Sequence, residues 1–408
     1  MRLPVLLALG MLSALSAPLS TGASRTTVVP PARGKALVAA DYSRRIIYHS
    51  PQMPGYTCWV GAWIMPDKSL MVHFKQATGP IEGRPRSLEL LKKMGMGDLP
   101  AGRDFTGLRL ANVYLRSTDG GATWQTVAED AFLGPLDRAV WGGSHIGLRD
   151  GSLLRAVDGS QLPLAAGLPR RIFFQRSRDL GKTWSEPVLA PEPRRPGEYL
   201  GDYGDCITRV RRLHDGRLIA TGVSRPRPRD PAGEPVLLTS RDEGQTWVSS
   251  LERVPEAYRE PGAWNEWDAA ELPSGNLLFV ARRDDPQHPS REIRWQGLLQ
   301  KRGSGWVLAE YGPSPLAHSG HPELLATREG VVLHIATDGV HWTADTDDTW
   351  HPLDFPGLGE PYSSCYYPRS VQTDDGRIFV FSHRGWDNAY GEVDQAIVMD
   401  TFRLSAPG

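Results

Sequence analysis

Four copies of one short pattern constrain this chain more than any other feature. They are Ser117-x-Asp119-x-Gly121-x-Thr123-Trp124, Ser177-x-Asp179-x-Gly181-x-Thr183-Trp184, Ser240-x-Asp242-x-Gly244-x-Thr246-Trp247 and a worn copy, Thr343-x-Asp345-x-Asp347-x-Thr349-Trp350. In each, the Asp is placed to accept bonds from turn amides, the Ser and Thr hydroxyls bond back to the backbone, and Gly takes a conformation other residues avoid. The Trp then supplies a large apolar area to bury between neighbouring sheets. Repeats at this spacing predict an array of small β-sheets, none of which buries its face alone.

These repeats resemble the Asp-box (BNR) motif of the sialidase superfamily. That resemblance implies a β-propeller with the boxes on the outer rim of its blades. It does not by itself imply catalysis, because fold and function are separable. A second repeat counts the blades. A turn followed by an apolar strand begins at Asp67, Asp150, Asp215, Ser274, Glu329 and Asp375, and reads as the hairpin between the innermost strand and the next. Six copies predict an all-β fold of six four-stranded antiparallel blades. The first gap is the longest and holds an insertion at about 78–110, with a short helix expected from Ser87 to Lys93.

Composition narrows the partners. Glycine and proline are abundant (43 and 34) but scattered between short apolar strands, which favours one turn-rich domain over residues 24–408. The net charge is −1 and no basic block stands out, so no nucleic-acid partner is expected. The pairs Arg170-Arg171, Arg194-Arg195 and Arg211-Arg212 read as solvated loop and strand-edge charges. Residues 1–23, with Arg2, an apolar run from Leu3 to Leu19 and small residues after it, read as a secretory signal peptide. A secreted or periplasmic protein with no membrane span is expected. Cys58, Cys206 and Cys365 allow one disulfide at most.

Aligning the hairpins shows what faces the axis. Nine residues before the turn glycine (or Lys68) stand Trp59, Gly142, Ile207, Glu266, His321 and Tyr367. Seven before it stand Gly61, Ser144, Arg209, Asp268, Glu323 and Arg369. Residues two apart share one face of a strand, so a core would be apolar here. The polar side chains instead mark a central funnel as the candidate site, with a structural hydrogen-bonded plug as the bland alternative.

The resemblance to sialidases becomes specific at these positions. That family cleaves through a Tyr nucleophile activated by a Glu, with an Asp as acid/base. The segment Asn265-Glu266-Trp267-Asp268 matches the one holding the Glu, Arg282 matches one of three substrate-binding arginines, and Tyr366-Tyr367-Pro368-Arg369 matches the nucleophile segment. Asp104 matches the acid/base. The resemblance therefore implies a retaining glycoside hydrolase with Tyr367, Glu266 and Asp104 as catalytic residues, a glycan substrate and no cofactor. Arg209, Arg369, Asp268 and His318 are further candidates for substrate contact.

Two arginines of the family's carboxylate clamp are missing. Trp59 stands at one position, and the segment from Ile335 to Trp342 holds none at the other. Bidentate arginine contacts are not replaced by apolar residues without loss, so specificity away from ordinary sialic acid is expected, with Trp59 and Trp63 available to stack on an uncharged sugar. Two other chemistries remain open. In a uronate lyase, Arg209 or Arg369 would neutralise the carboxylate and His321 or Tyr367 would take the carbon-bound proton. His318, His321, Asp205 and Glu323 are a weak metal set without compact spacing. A non-catalytic glycan- or protein-binding propeller is the third reading.

Overall fold

In the computed structural model the described residues run from 36 to 406, except 52–55, 80–108, 133–143, 158–171, 191–205, 225–233, 259–263, 285–291, 317–320, 337, 345–348, 359–366 and 385–395. The signal segment, almost all of the insertion with its expected helix, Asp104, His318 and the two Asp of the worn box fall outside them. So do Gly142, Asp205, Cys365 and the side chains of Cys58 and Cys206. Among the described residues no helix is long and apolar enough to cross a membrane.

Six four-stranded antiparallel sheets form a six-bladed β-propeller. Blades one to five cover residues 56–132, 145–189, 206–249, 267–313 and 323–352 in chain order. Blade six takes three strands from residues 369–405 and its outermost from Val38–His49. The first strand of each blade touches the first strand of the next, right round to where blade six meets blade one. That closed circuit is the axis. The apolar core lies between the blades: the six interfaces each hold a cluster, such as Val60, Phe74, Phe381 and Met399 between blades one and six, or Leu154, Phe174, Ala220 and Trp247 between two and three. The axis itself is left to polar groups.

The three complete boxes close the turn from third to fourth strand of blades one, two and three. In box one, Asp119 accepts from the Ser117 hydroxyl (2.8 Å), the Thr123 amide (2.8 Å) and the Thr123 hydroxyl (2.6 Å), while Ser117 Oγ accepts from the Gly121 amide. Boxes two and three repeat this wiring. Each box also docks on the preceding blade. Trp247 stacks on Phe174 with centroids 4.3 Å apart, and Trp124 meets Phe381 edge-on. Gly244 sits at φ 81°, where an added Cβ would come 2.6 Å from Leu154 of blade two. Glycine is needed there twice over, for its backbone angle and for the close approach.

The inner hairpins lie where their repeats predicted. Five have glycine at positive φ; the first has Lys68 at φ 68° in the same place. Two irregularities re-aim inner-strand side chains. Pairing slips between Ile207 and Arg209 in blade three, and Ile207 turns into the apolar cluster between blades two and three instead of the axis. It slips again between Cys58 and Gly61 in blade one, where Trp59 is thrown into the left-handed region at φ 54°. The uniform alignment thus holds for blades four to six and fails locally in one and three, because a bulge adds a residue to one strand.

Candidate functional site

Glu266, His321 and Tyr367 end the segments leading into the inner strands of blades four, five and six, and the fold brings them together. Tyr367 Oη donates to Glu266 Oε1 at 2.8 Å, although the residues are 101 apart in sequence. Arg282 Nη1, on the second strand of blade four, donates to Glu266 Oε2 at 2.9 Å. One carboxylate oxygen therefore serves the phenol and the other is anchored. Both members of the pair are buried, at 6 % exposure for Glu266 and 3 % for Tyr367.

His321 packs beside Tyr367, with ring centroids 6.2 Å apart. Its Nδ1 lies 2.5 Å from the Pro322 carbonyl, to which it donates in one tautomer, and 3.3 Å from Arg369 Nη1, from which it accepts in the other. Burial, and then the Arg369 cation, push the ring well below the ordinary histidine range, so it is neutral. Trp59 meets Tyr367 edge-on at 6.4 Å, and the Lys75 ammonium lies over its indole, 4.5 Å from the centroid. Trp63, by contrast, is buried in the cluster between blades one and two, stacked on His145.

One layer deeper, the axis is a network of ion pairs. Glu323 accepts from Arg209 Nη2 (2.9 Å), the Ser370 amide and the Ser370 hydroxyl (2.7 Å each), with Arg369 Nη1 at 3.5 Å. Asp268 accepts from Arg211 through both oxygens and from the Leu324 amide. Burial alone would raise the Asp268 carboxyl, but the Arg211 and Arg209 cations outweigh it and hold it well below the usual range. These bonds tie blade three to four, three to five, four to five and five to six. Buried charges persist only with such partners.

Of the residues singled out in the sequence, Tyr367, Glu266, Arg282, His321 and Trp59 are thus gathered at one end of the axis. Arg209, Arg369 and Asp268 belong to the ion-pair layer beneath. Asp104 and His318 lie outside the described residues. Arg211, read as a solvated charge, points inward to Asp268; its pattern in the strand, two residues after Arg209, carried that signal. Arg212 pairs with Glu243 at the rim. Lys75 had no signal in the sequence, since it reaches Trp59 only through the pairing of its strand opposite Cys58.

The chain matches no protein-family model and no curated protein. Its likeness is to solved structures. A Dyadobacter fermentans protein of unknown function is similar with TM-score 0.61 at 17 % identity, over 91 % of this chain and 100 % of that one. An α-L-arabinofuranosidase of Fusarium graminearum, in complex with arabinobiose, is similar with TM-score 0.56 at 14 % identity, over 88 % and 97 %. The leech intramolecular trans-sialidase, complexed with 2,7-anhydro-Neu5Ac, is similar with TM-score 0.54 at 9 % identity, over 88 % and 70 %. At these identities the shared property is the propeller fold.

Proposed function

We propose that this propeller is an exported glycoside hydrolase acting through Tyr367. The observation that carries the reading is the Tyr367–Glu266 hydrogen bond, made between two blades and anchored from behind by Arg282. A phenol is a weak nucleophile near neutral pH, and a carboxylate in hydrogen-bond reach is the group that takes its proton. In the proposed reaction Tyr367 Oη attacks the anomeric carbon as Glu266 accepts the phenolic proton. The bond to the leaving oxygen breaks and that oxygen takes a proton from Asp104. Water, deprotonated by Asp104, then attacks the same carbon; the phenol leaves and recovers its proton from Glu266. The role of Asp104 rests on the sequence resemblance, as does export. The glycosidase names among the structural neighbours agree with this class of reaction.

The lyase reading is weaker, because the two arginines it needs to neutralise a uronate, Arg209 and Arg369, are buried around Glu323 in the layer beneath Tyr367. Mass spectrometry of products separates the two: a hydrolase yields fragments that gain water, a lyase yields unsaturated fragments. Tyr367→Phe and Glu266→Gln are each expected to lower kcat about 100-fold or more while circular dichroism stays unchanged. Near-normal turnover in both variants would sink the proposal.

A further inference from the structure

The arginines around the axis are already engaged. Arg282 is held by Glu266, Arg209 and Arg369 by Glu323, and Arg211 by Asp268. A carboxylated sugar arriving at Tyr367 does not reach them at the surface, because Arg282, Arg209 and Arg369 are buried, and drawing Arg282 away would leave the buried Glu266 uncompensated. A different group is accessible beside them. Tyr367, Glu266 and His321 are buried, whereas Trp59 beside them is partly exposed.

Trp59 is also strained. A bulky side chain at φ 54° is a backbone outlier, and it stands where the pairing with the next strand slips. Strain of this kind persists only where the surroundings over-determine it, and it gathers at ligand-binding positions. Lys75 supplies part of that constraint. Its stem is packed inside, at 5 % exposure, and its ammonium rests on the indole.

We propose that Trp59, pinned by Lys75, is the platform on which the C–H face of an uncharged sugar stacks beside Tyr367, so that the glycoside cleaved is a neutral one. This rests on the hydrolase reading and specifies its substrate class. Trp59 determines specificity by contact. Lys75 is a positioning residue that acts through the indole.

The test uses the full chain with p-nitrophenyl glycosides of neutral pentoses and hexoses beside a sialoside and a glucuronide, and isothermal titration of the corresponding methyl glycosides. Cleavage of a neutral glycoside is expected, with KM about tenfold higher in Trp59→Ala and kcat changed far less, as for loss of uniform binding. Trp59→Phe should keep most of the affinity. Lys75→Met should raise KM severalfold and Lys75→Arg should restore it, since either cation sits on an aromatic face. Because Trp59→Asn suits the left-handed backbone, it should raise KM without lowering Tm, whereas a purely structural Trp would lose Tm instead.

Cleavage of neutral substrates with KM unmoved in Trp59→Ala would overturn the platform and leave the hydrolase standing. So would exclusive cleavage of the sialoside or glucuronide. With no cleavage at all, the hydrolase reading fails and titration decides the platform alone. Binding of a neutral methyl glycoside that Trp59→Ala abolishes would support it, and absence of binding would overturn it.

Discussion

Glu266 has two carboxylate oxygens and the fold gives each a separate partner, Tyr367 on one and Arg282 on the other. Arg282 therefore does its work through Glu266. Replacing it with Met would leave a buried carboxylate without its cation, a change that typically costs about 3–5 kcal/mol. Arg282→Met is thus expected to lower the urea midpoint sharply and to reduce kcat by letting the carboxylate rotate, with Arg282→Lys intermediate in both. Unchanged stability together with unchanged turnover would show that Glu266 needs no anchor. His321 differs in kind. Its Nδ1 is occupied by the Pro322 carbonyl and Arg369 and its ring is neutral, so Nε2 is the nitrogen left to a ligand and it brings no charge.

At the scale of turns and strands, the same turn type recurs with different residues, which makes the cost of each choice measurable. Lys68 holds the left-handed position that glycine holds in five other hairpins. Lys68→Gly is expected to stabilise by about 1 kcal/mol, since its exposed pair with Asp374 contributes little in return. Gly151→Ala should cost only the backbone strain, for a Cβ there meets nothing within 4 Å, while Gly244→Ala should cost clearly more by driving into Leu154. Equal urea midpoints for the two alanine variants would refute the docking of box three on blade two. These turns were legible in the sequence because short-range chemistry writes them: an Asp that wraps its own loop and a Gly that turns left are local facts. The blade count followed from them. The Tyr367–Glu266 meeting, between residues 101 apart, was legible through the repeat alignment that set both at the same position of their inner strands, and through the resemblance that paired them. The slips at Cys58–Gly61 and Ile207–Arg209 were not legible, because a bulge is settled by packing against the neighbouring strand. Lys75 was invisible for the same reason, being brought to Trp59 by strand pairing. So was the outermost strand of blade six, whose partner lies at the other end of the chain.

At the scale of the whole molecule, the four fully buried histidines among the described residues set the response to acid. Burial pushes His73 and His383 down to about 3, and His321 and His334 well below the ordinary value. For a base, a lowered folded value means that the neutral form is the one the fold accepts. Its contribution is complete above the unfolded value of about 6.5 and is lost as pH falls toward the folded value, about 3 for His73 and His383. Urea midpoints are therefore expected to decline steadily from pH 7 to pH 4. His334, whose ring nitrogens make no hydrogen bond among the described residues, should give up part of that slope as His334→Leu without losing stability at pH 7. A flat profile between pH 7 and 5 would contradict the neutral burial of these rings. The ring as a whole is closed by blade six, where Val38 lies opposite Ser405 and His49 opposite Ala396. Tyr42 and Arg44 fasten this strand to the buried Asp400. Because this antiparallel pair sets Val38 beside Ser405, a pull applied at these two residues loads its hydrogen bonds one after another, like a zipper, and never all at once in shear. Stretched between two beads, the propeller should open first at this seam and at low force, yielding the first strand before any blade unfolds.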